Sequence, residues 1–312
     1  MCHPPRVDVR IGYLPTRLDG TAAAWRKAVK LAEAAGIDHV AVGDHVSFHD
    51  GSGADGLTAA AVVLGVAERL HVNTAVYLLP LRHPVTVARQ VADLAALGPG
   101  RFTFGVGIGG EDPHEVEVCG VDPRTRGRRM DEAITIVREL LAGGTVDHAG
   151  EHFELERACI LPVPTSPVPI VVGGRSDAAI SRAGRLGDGW IGVWVSARRF
   201  AEVVQQVAAS AEREGRGVDR WHHALNVWCG VGRDTADARR YVAPAMEDFY
   251  KLPYERFERW SPAGTAQELA AFLIPYIEAG CSTFNLIING EDVDAEMDAV
   301  AEIRARMLEA IG

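Results

Sequence analysis

The stretch GRFTFGVGIGG, residues 100–110, carries Gly105, Gly107 and Gly110 in the spacing G-x-G-x-x-G after a short apolar run. In a Rossmann unit those glycines follow the first strand and open directly onto a helix whose N-terminus meets the pyrophosphate. Neither condition holds here. Three strand–helix patterns come first, and the polar run EDPHEVEVCGVDPRT separates the glycines from the next helical pattern. The glycines therefore end a strand within a longer alternation. Two uses stay open for them. They let a flat ligand approach the backbone at Gly107 and Gly109, or they only relieve crowding inside a barrel.

Outward from that stretch the alternation is regular. Strand patterns run over 7–14, 38–46, 71–79 and 101–109, then 169–174, 188–195, 223–232 and 282–289. Helical patterns follow at 21–36, 56–70, 83–98, 125–144, 176–187, 197–215, 235–250, 265–280 and 294–312. Thr21 is placed to N-cap the first helix and Gly36 to end it. Eight such units in 312 residues predict an α/β fold, one (β/α)8 TIM barrel with insertions over 1–312. The insertions fall near 111–124, 145–169 and 251–264. The second reads as a hairpin with a Pro-rich connection and the third as an aromatic, charged loop. Loops 47–56, 111–124 and 251–263 would build a substrate pocket. Tyr254, Phe257 and Trp260 serve there either as an apolar wall or as plain surface.

Composition narrows the function. A formal net charge of −10 argues against nucleic acid or an anionic membrane surface as partner. No apolar run reaches the roughly 18 residues of a membrane span, and the start, MCHPPRVDVRIGYLP, does not read as a signal peptide. Five scattered cysteines without a C-x-x-C pair fit a reducing cytoplasm.

Two strand ends carry candidate chemistry. PIVVGGRSDAAI puts Gly173 and Gly174 after an apolar strand, then Arg175, then Ser176 or Asp177 as N-cap. Free amides at a helix start, a glycine pair and a guanidinium together favour a bound phosphate; a plain tight turn is the alternative. VAVGDHVSF puts Asp44 and His45 at the mouth end of the second strand, where His45 suits proton transfer and Asp44 either fixes its tautomer or packs elsewhere. Glu111, His114, Glu115, Trp194 and Asn226 could reach the same mouth and rank below His45. His45, His49, Asp44 and Asp50 could pass for a metal cluster, but the later strand ends VVGGRS, GVWVS and LIING offer no further ligand, so no metal is expected.

The segments VAVGDHV, NTAVYLLPLRHPVTVARQVADL, GRFTFGVGIGG, GVDPRTRGRRMDEAITIVREL, PIVVGGRSDAAISRAGRLGDGW and GTAQELAAFLIPYIEAG resemble, in order and over nearly the whole chain, the luciferase-like monooxygenase superfamily. Within it the chain is most similar to the coenzyme F420-dependent oxidoreductases. The resemblance implies a homodimer of barrels with a flavin or deazaflavin across the mouth. Its phosphate would sit on Gly173, Gly174 and Arg175, beside Ser176. A non-prolyl cis peptide at Ala75–Val76 would press on the ring. His45 matches the family's active-site histidine, and Glu111 falls near its glutamate, with the register shifted by Gly109-Gly110. Hydride transfer between F420 and a small organic substrate is the implied reaction, with His45 handling the proton and Glu111 assisting. The alternatives are an FMN-dependent monooxygenase fed by a partner flavin reductase, and a flavin-binding protein without turnover.

Overall fold

The computed structural model describes residues 8–16, 20–110 and 112–312. Eight parallel strands form its centre: β1 (Arg10–Tyr13), β2 (His39–Val42), β3 (His71–Thr74), β4 (Phe102–Gly107), β5 (Ile170–Gly173), β6 (Gly189–Val193), β7 (Ala224–Val231) and β8 (Thr283–Asn289). Each pairs with the next, and β8 pairs with β1. Pairing of Ile170 with Phe104 and Val172 with Val106 joins β5 to β4, so the sheet closes into a barrel.

Helices pack outside: α1 (Ala22–Ala34), α2 (Gly56–Val66), α3 (Pro84–Leu97), α4 (Arg126–Leu141), α5 (Asp177–Leu186), α6 (Ala197–Arg213), α7 (Thr235–Tyr250), α8 (Ala266–Glu278) and α9 (Val293–Ala310). Small polar side chains start them. Thr21 accepts from the Ala24 amide, Asp55 from Thr58 and Ser176 from Ala179, and Thr265 forms a capping box with Glu268; each such cap contributes about 1 kcal/mol. Gly36 ends α1 with φ +74°. The apolar faces of helices and strands bury one continuous core that includes Ile11, Val72, Phe104, Ile134, Phe200 and Phe284. No helix among the described residues is long and apolar enough to cross a membrane.

The structure departs from the sequence pattern where the site lies. The second strand stops at Val42, because His45–Phe48 turns back on Ser52–Ala54 as an antiparallel hairpin. The third stops at Thr74. The Ala75–Val76 peptide bond is cis, as the resemblance implied, and pairing resumes only at Tyr77 and Leu78 beside β4. The stretch after β4 is not all loop: Pro113–Val118 forms a short helix capped by Asp112. Segment 145–169 holds the expected hairpin, Val146–Ala149 against Glu154–Ala158. Segment 251–264 folds into two 3-10 turns, Tyr254–Arg256 and Glu258–Trp260, and a two-residue strand beside β7.

Candidate active site at the barrel mouth

The carboxyl ends of the strands surround a cleft of ≈ 460 Å³, within the range of small-molecule sites. His45 lines it, at the start of the hairpin that follows β2. Its Nδ1 lies 3.1 Å from Oε2 and 3.2 Å from Oε1 of Glu115, which is 2% exposed. The same carboxylate accepts the amides of Val46 at 2.7 Å and Ser47 at 3.3 Å. Since an ionised carboxylate only accepts, Nδ1 carries the proton and Nε2 is the basic nitrogen of neutral His45. Among the described residues Nε2 has no hydrogen-bond partner. Asp112 clamps the other end of the hairpin by accepting the His49 amide at 2.8 Å.

Asp44, one residue before His45, does something else. Its carboxylate accepts two N–H groups of Arg82, at 2.6 and 2.8 Å, and the amides of Gly56 at 2.9 Å and Leu78 at 2.8 Å. Burial pushes its pKa up, while Arg82 and the two amides pull it down. Its four contacts leave no lone pair directed at His45. Of the two readings left open for Asp44, the structure shows the second: Asp44 packs elsewhere, tying the β2 end to α2 and to Leu78, and the carboxylate on His45 is that of Glu115. Glu111 lies outside the described residues. His114 is largely exposed beside Glu117.

The opposite wall answers the glycine question. A Cβ on Gly105 would overlap the Thr74 carbonyl oxygen, and one on Gly107 would overlap the Val76 side chain. Of the two uses left open, Gly105 and Gly107 show relief of crowding, while Gly107 also lines the cleft. Gly109 and Gly110 have no such neighbour and line the cleft. Val76 is seated between Gly107 and Gly173, where a Cβ on Gly173 would stand 2.9 Å from Val76 Cγ1. From inside the barrel, Asn226 Nδ2 donates to the Ala75 carbonyl at 3.1 Å. Asn226 Oδ1 accepts from Asn285 at 2.8 Å, and Asn285 Oδ1 accepts from His39 Nε2 at 2.7 Å. Burial depresses the pKa of His39 to about 4, so it stays neutral.

The β5 end turns directly into a capped helix start. Gly174 has φ +130°, and its carbonyl accepts the Trp190 indole N–H at 2.7 Å. Ser176 caps α5, and the amides before the first intrahelical bond lack helical partners. The exposed Arg175 guanidinium lies 4.9 Å from the Trp194 ring and has no carboxylate partner among the described residues.

Between His45 and Arg175 runs a belt of rings. His45 packs on Phe48 at 4.0 Å and edge-on to Phe249 at 5.7 Å. Phe249 meets Tyr250 at 4.8 Å, and Tyr250 meets Trp194 at 4.8 Å. Trp228 braces Phe249 and donates its indole N–H to the Tyr250 oxygen at 2.9 Å. Phe257 backs Trp194, Tyr254 is buried behind it, and Trp260 sits under Arg259. The sequence named Trp194, but its reading of Phe48 stopped at the pocket loop 47–56, and that of Phe249 and Tyr250 at the helix 235–250.

A closed (β/α)8 barrel with a ring-lined cleft, a histidine held by a carboxylate and a glycine turn bearing Arg175 belongs to the class of α/β barrels whose cleft opens at the carboxyl ends of the strands. The chain belongs to the luciferase-like monooxygenase family, whose model matches residues 1–273. An uncharacterised protein of Mycobacterium tuberculosis (strain ATCC 25618 / H37Rv) is 43% identical over 131 residues, 42% of this chain and 45% of that protein, so the match spans under half of that relative. The F420-dependent glucose-6-phosphate dehydrogenase of Microbacterium testaceum is 37% identical over 245 residues, 76% of this chain and 69% of that one. The fold is shared with an F420-dependent secondary alcohol dehydrogenase solved with an F420–acetone adduct, at TM-score 0.84 and 23% identity, over 96% of this chain and 99% of that one.

Proposed function

We propose that this chain is an F420-dependent oxidoreductase that moves a hydride between the deazaflavin and a small organic substrate. One observation carries the reading. A single cleft brings together a histidine oriented by Glu115, the cis Ala75–Val76 ledge and the Gly174–Arg175 anion seat. The F420-dependent relative supports it.

The residues fit such a group. Arg175, Ser176 and the first α5 amides would hold its phosphate, with Gly173 and Gly174 leaving room. Ala75 and Val76 would bear on its ring, with Gly109 alongside. When bound, the deazaflavin supplies the hydride donor or acceptor. The rest is work for the chain. Glu115 keeps His45 in one tautomer and stabilises it once protonated. His45 Nε2 takes or gives the substrate proton. The aromatic roof excludes water. Asp44 and Arg82 hold the strand end from which His45 projects. Glu111 enters the proposal on sequence alone, as a second carboxylate after β4. The enzyme is further proposed to act in the cytoplasm as a homodimer of single barrel domains spanning 1–312, the dimer resting on the resemblance. The four cysteines among the described residues are all unpaired, which supports the reducing compartment.

Titration of the purified protein with F420 and with FMN, followed by tryptophan fluorescence, tests the cofactor. Preference for F420 is expected. Preference for FMN, with substrate-coupled oxygen consumption in the presence of a reductase, would replace the proposal with a monooxygenase. His45→Asn should lower turnover by about 10²-fold while F420 affinity persists; unchanged turnover would remove His45 from the mechanism.

A further inference from the structure

We propose that Asn226 is a positioning residue and that Asn285 and His39 act through it. A hydrogen-bond chain laid across the barrel interior fixes the Ala75 carbonyl, and with it the Val76 side chain on which the cofactor ring would rest. This rests on the F420 reading above.

The chain crosses the barrel at one level. Asn226 of β7 pairs with Asn285 of β8, and Gly12 of β1 pairs with both Asn285 and His39 of β2. Barrel layers are commonly filled by branched apolar side chains. Here two amides and an imidazole fill one. Gly12 belongs to the same device. A Cβ on it would overlap the His39 ring, so its bare backbone lets His39 reach across β1 to Asn285. His39 and Asn285 are 0% and 1% exposed. Asn226 lines the cleft, whereas Asn285 lines a smaller cavity at the amino ends of the strands, with Arg10 and Thr103.

One atom sets the direction of every bond. The Ala75 carbonyl can only accept, so Asn226 turns Nδ2 toward it, at 3.1 Å. Asn226 Oδ1 then faces Asn285 and accepts from its Nδ2 at 2.8 Å. Asn285 Oδ1 is left for His39 Nε2 at 2.7 Å and Asn73 Nδ2 at 3.4 Å. His39 therefore carries its proton on Nε2, and burial, which depresses its pKa to about 4, keeps it neutral. Reversing either amide would set oxygen against oxygen and N–H against N–H, so the chain has one arrangement.

What the chain holds is the ledge. Val76 is wedged between Gly107 and Gly173, and it lines the cleft with Ala75 and Asn226. The two glycines admit Val76 from the sides, and Asn226 ties the carbonyl just before it to β7. A ring resting on Val76 would thus take its height from two side chains buried deeper in the barrel.

Fluorescence titration of the purified protein gives the F420 affinity, and the induced circular dichroism of the bound deazaflavin reports how its ring is seated. Neither needs turnover, and thermal unfolding without F420 is recorded for each variant. Asn226→Ala should weaken F420 binding about ten-fold, on the order of one lost hydrogen bond, and change the induced band. His39→Leu should weaken binding about three-fold and change the band in the same sense. His39→Gln, whose Nε2 can still donate to Asn285, should restore the parent band and bring affinity within about two-fold of the parent. The double variant His39→Leu/Asn226→Ala should bind no more weakly than Asn226→Ala, because His39 acts only through Asn226. Should Asn226→Ala or His39→Leu fail to fold, Asn226→Ser and His39→Met take their places with the same expectations. Parent affinity and parent band at position 226 overturn the inference. So do additive losses in the double variant, or a His39→Gln protein that seats F420 no better than His39→Leu. A parent that binds FMN and not F420 ends the cofactor reading alone; the same variants, titrated with FMN, then decide the positioning role, since either ring would rest on Val76. A parent that binds neither ends both.

Discussion

The ends of β4 and β5 are neighbours in the barrel wall, and both are glycine-rich. At β4, Gly105 and Gly107 vacate space for another piece of the same chain, the Thr74 carbonyl and the Val76 side chain. At β5, Gly173 also makes way for Val76, but Gly174 then turns through φ +130° into a capped helix start with an arginine that has no carboxylate partner among the described residues. Glycine spacing reports that something comes close to the backbone. What comes close is decided by the neighbouring strand. Here the first two glycines of a G-x-G-x-x-G run serve internal packing, and a plainer G-G-R-S run opens the helix start at which an anion is proposed to sit.

The largest effect that would break this contrast is at β4. Gly105→Ala places a methyl group on a backbone carbonyl that cannot rotate away, so we expect a loss of about 3 kcal/mol in urea unfolding. An unchanged midpoint would mean that β3 and β4 can slide apart at Thr74 to admit the methyl group. Gly107→Ala should cost less, since its obstacle is the far end of a side chain.

Gly174→Ala comes next. The residue would enter a backbone region that L side chains avoid, and its Cβ would stand 2.7 Å from that of Ala179. A loss of about 2 kcal/mol is expected, together with weaker F420 binding, because the turn that presents Arg175 is disturbed. Loss of stability alone would separate the turn from the anion seat.

Arg175→Gln sharpens the same side. Among the described residues its guanidinium contacts only the Trp194 ring, so thermal unfolding should barely move. F420 affinity should fall about ten-fold, and the dependence of that affinity on salt should weaken. Equal affinity for the variant would place the phosphate elsewhere on the mouth.

The contrast also explains what could be read in the sequence. The barrel was legible because eight apolar runs each precede a helical pattern, and buried parallel strands need both. The Gly173–Ser176 turn was legible because its chemistry is local. The role of Asp44 was not, because its partner Arg82 lies 38 residues on, and only the β2–β3 contact brings the two together. Glu115 was named but ranked low: it sits in a helix of six residues, too short to show periodicity, and its reach to His45 depends on how that helix folds back. The aromatic belt was the least visible part. Its rings come from the hairpin, β7, the segment after β6 and the end of α7, and each alone reads as core.

Gly110 carries the smallest expected effect and the cleanest distinction. It completes the G-x-G-x-x-G spacing, yet a side chain there would meet open space. If the run were a phosphate cradle, Gly110→Ala would crowd the ligand and weaken F420 and FMN alike. If the β4 glycines exist for Val76, Gly110 is outside their job. Its substitution should then leave stability within about 0.5 kcal/mol of the parent, with F420 affinity unchanged. Gly107→Ala, three residues earlier, is the control, since it disturbs the ledge itself. An affinity loss at Gly110 but not at Gly107 would move the ligand from the ledge to the loop after it, and with it the part assigned to the cis Ala75–Val76 segment.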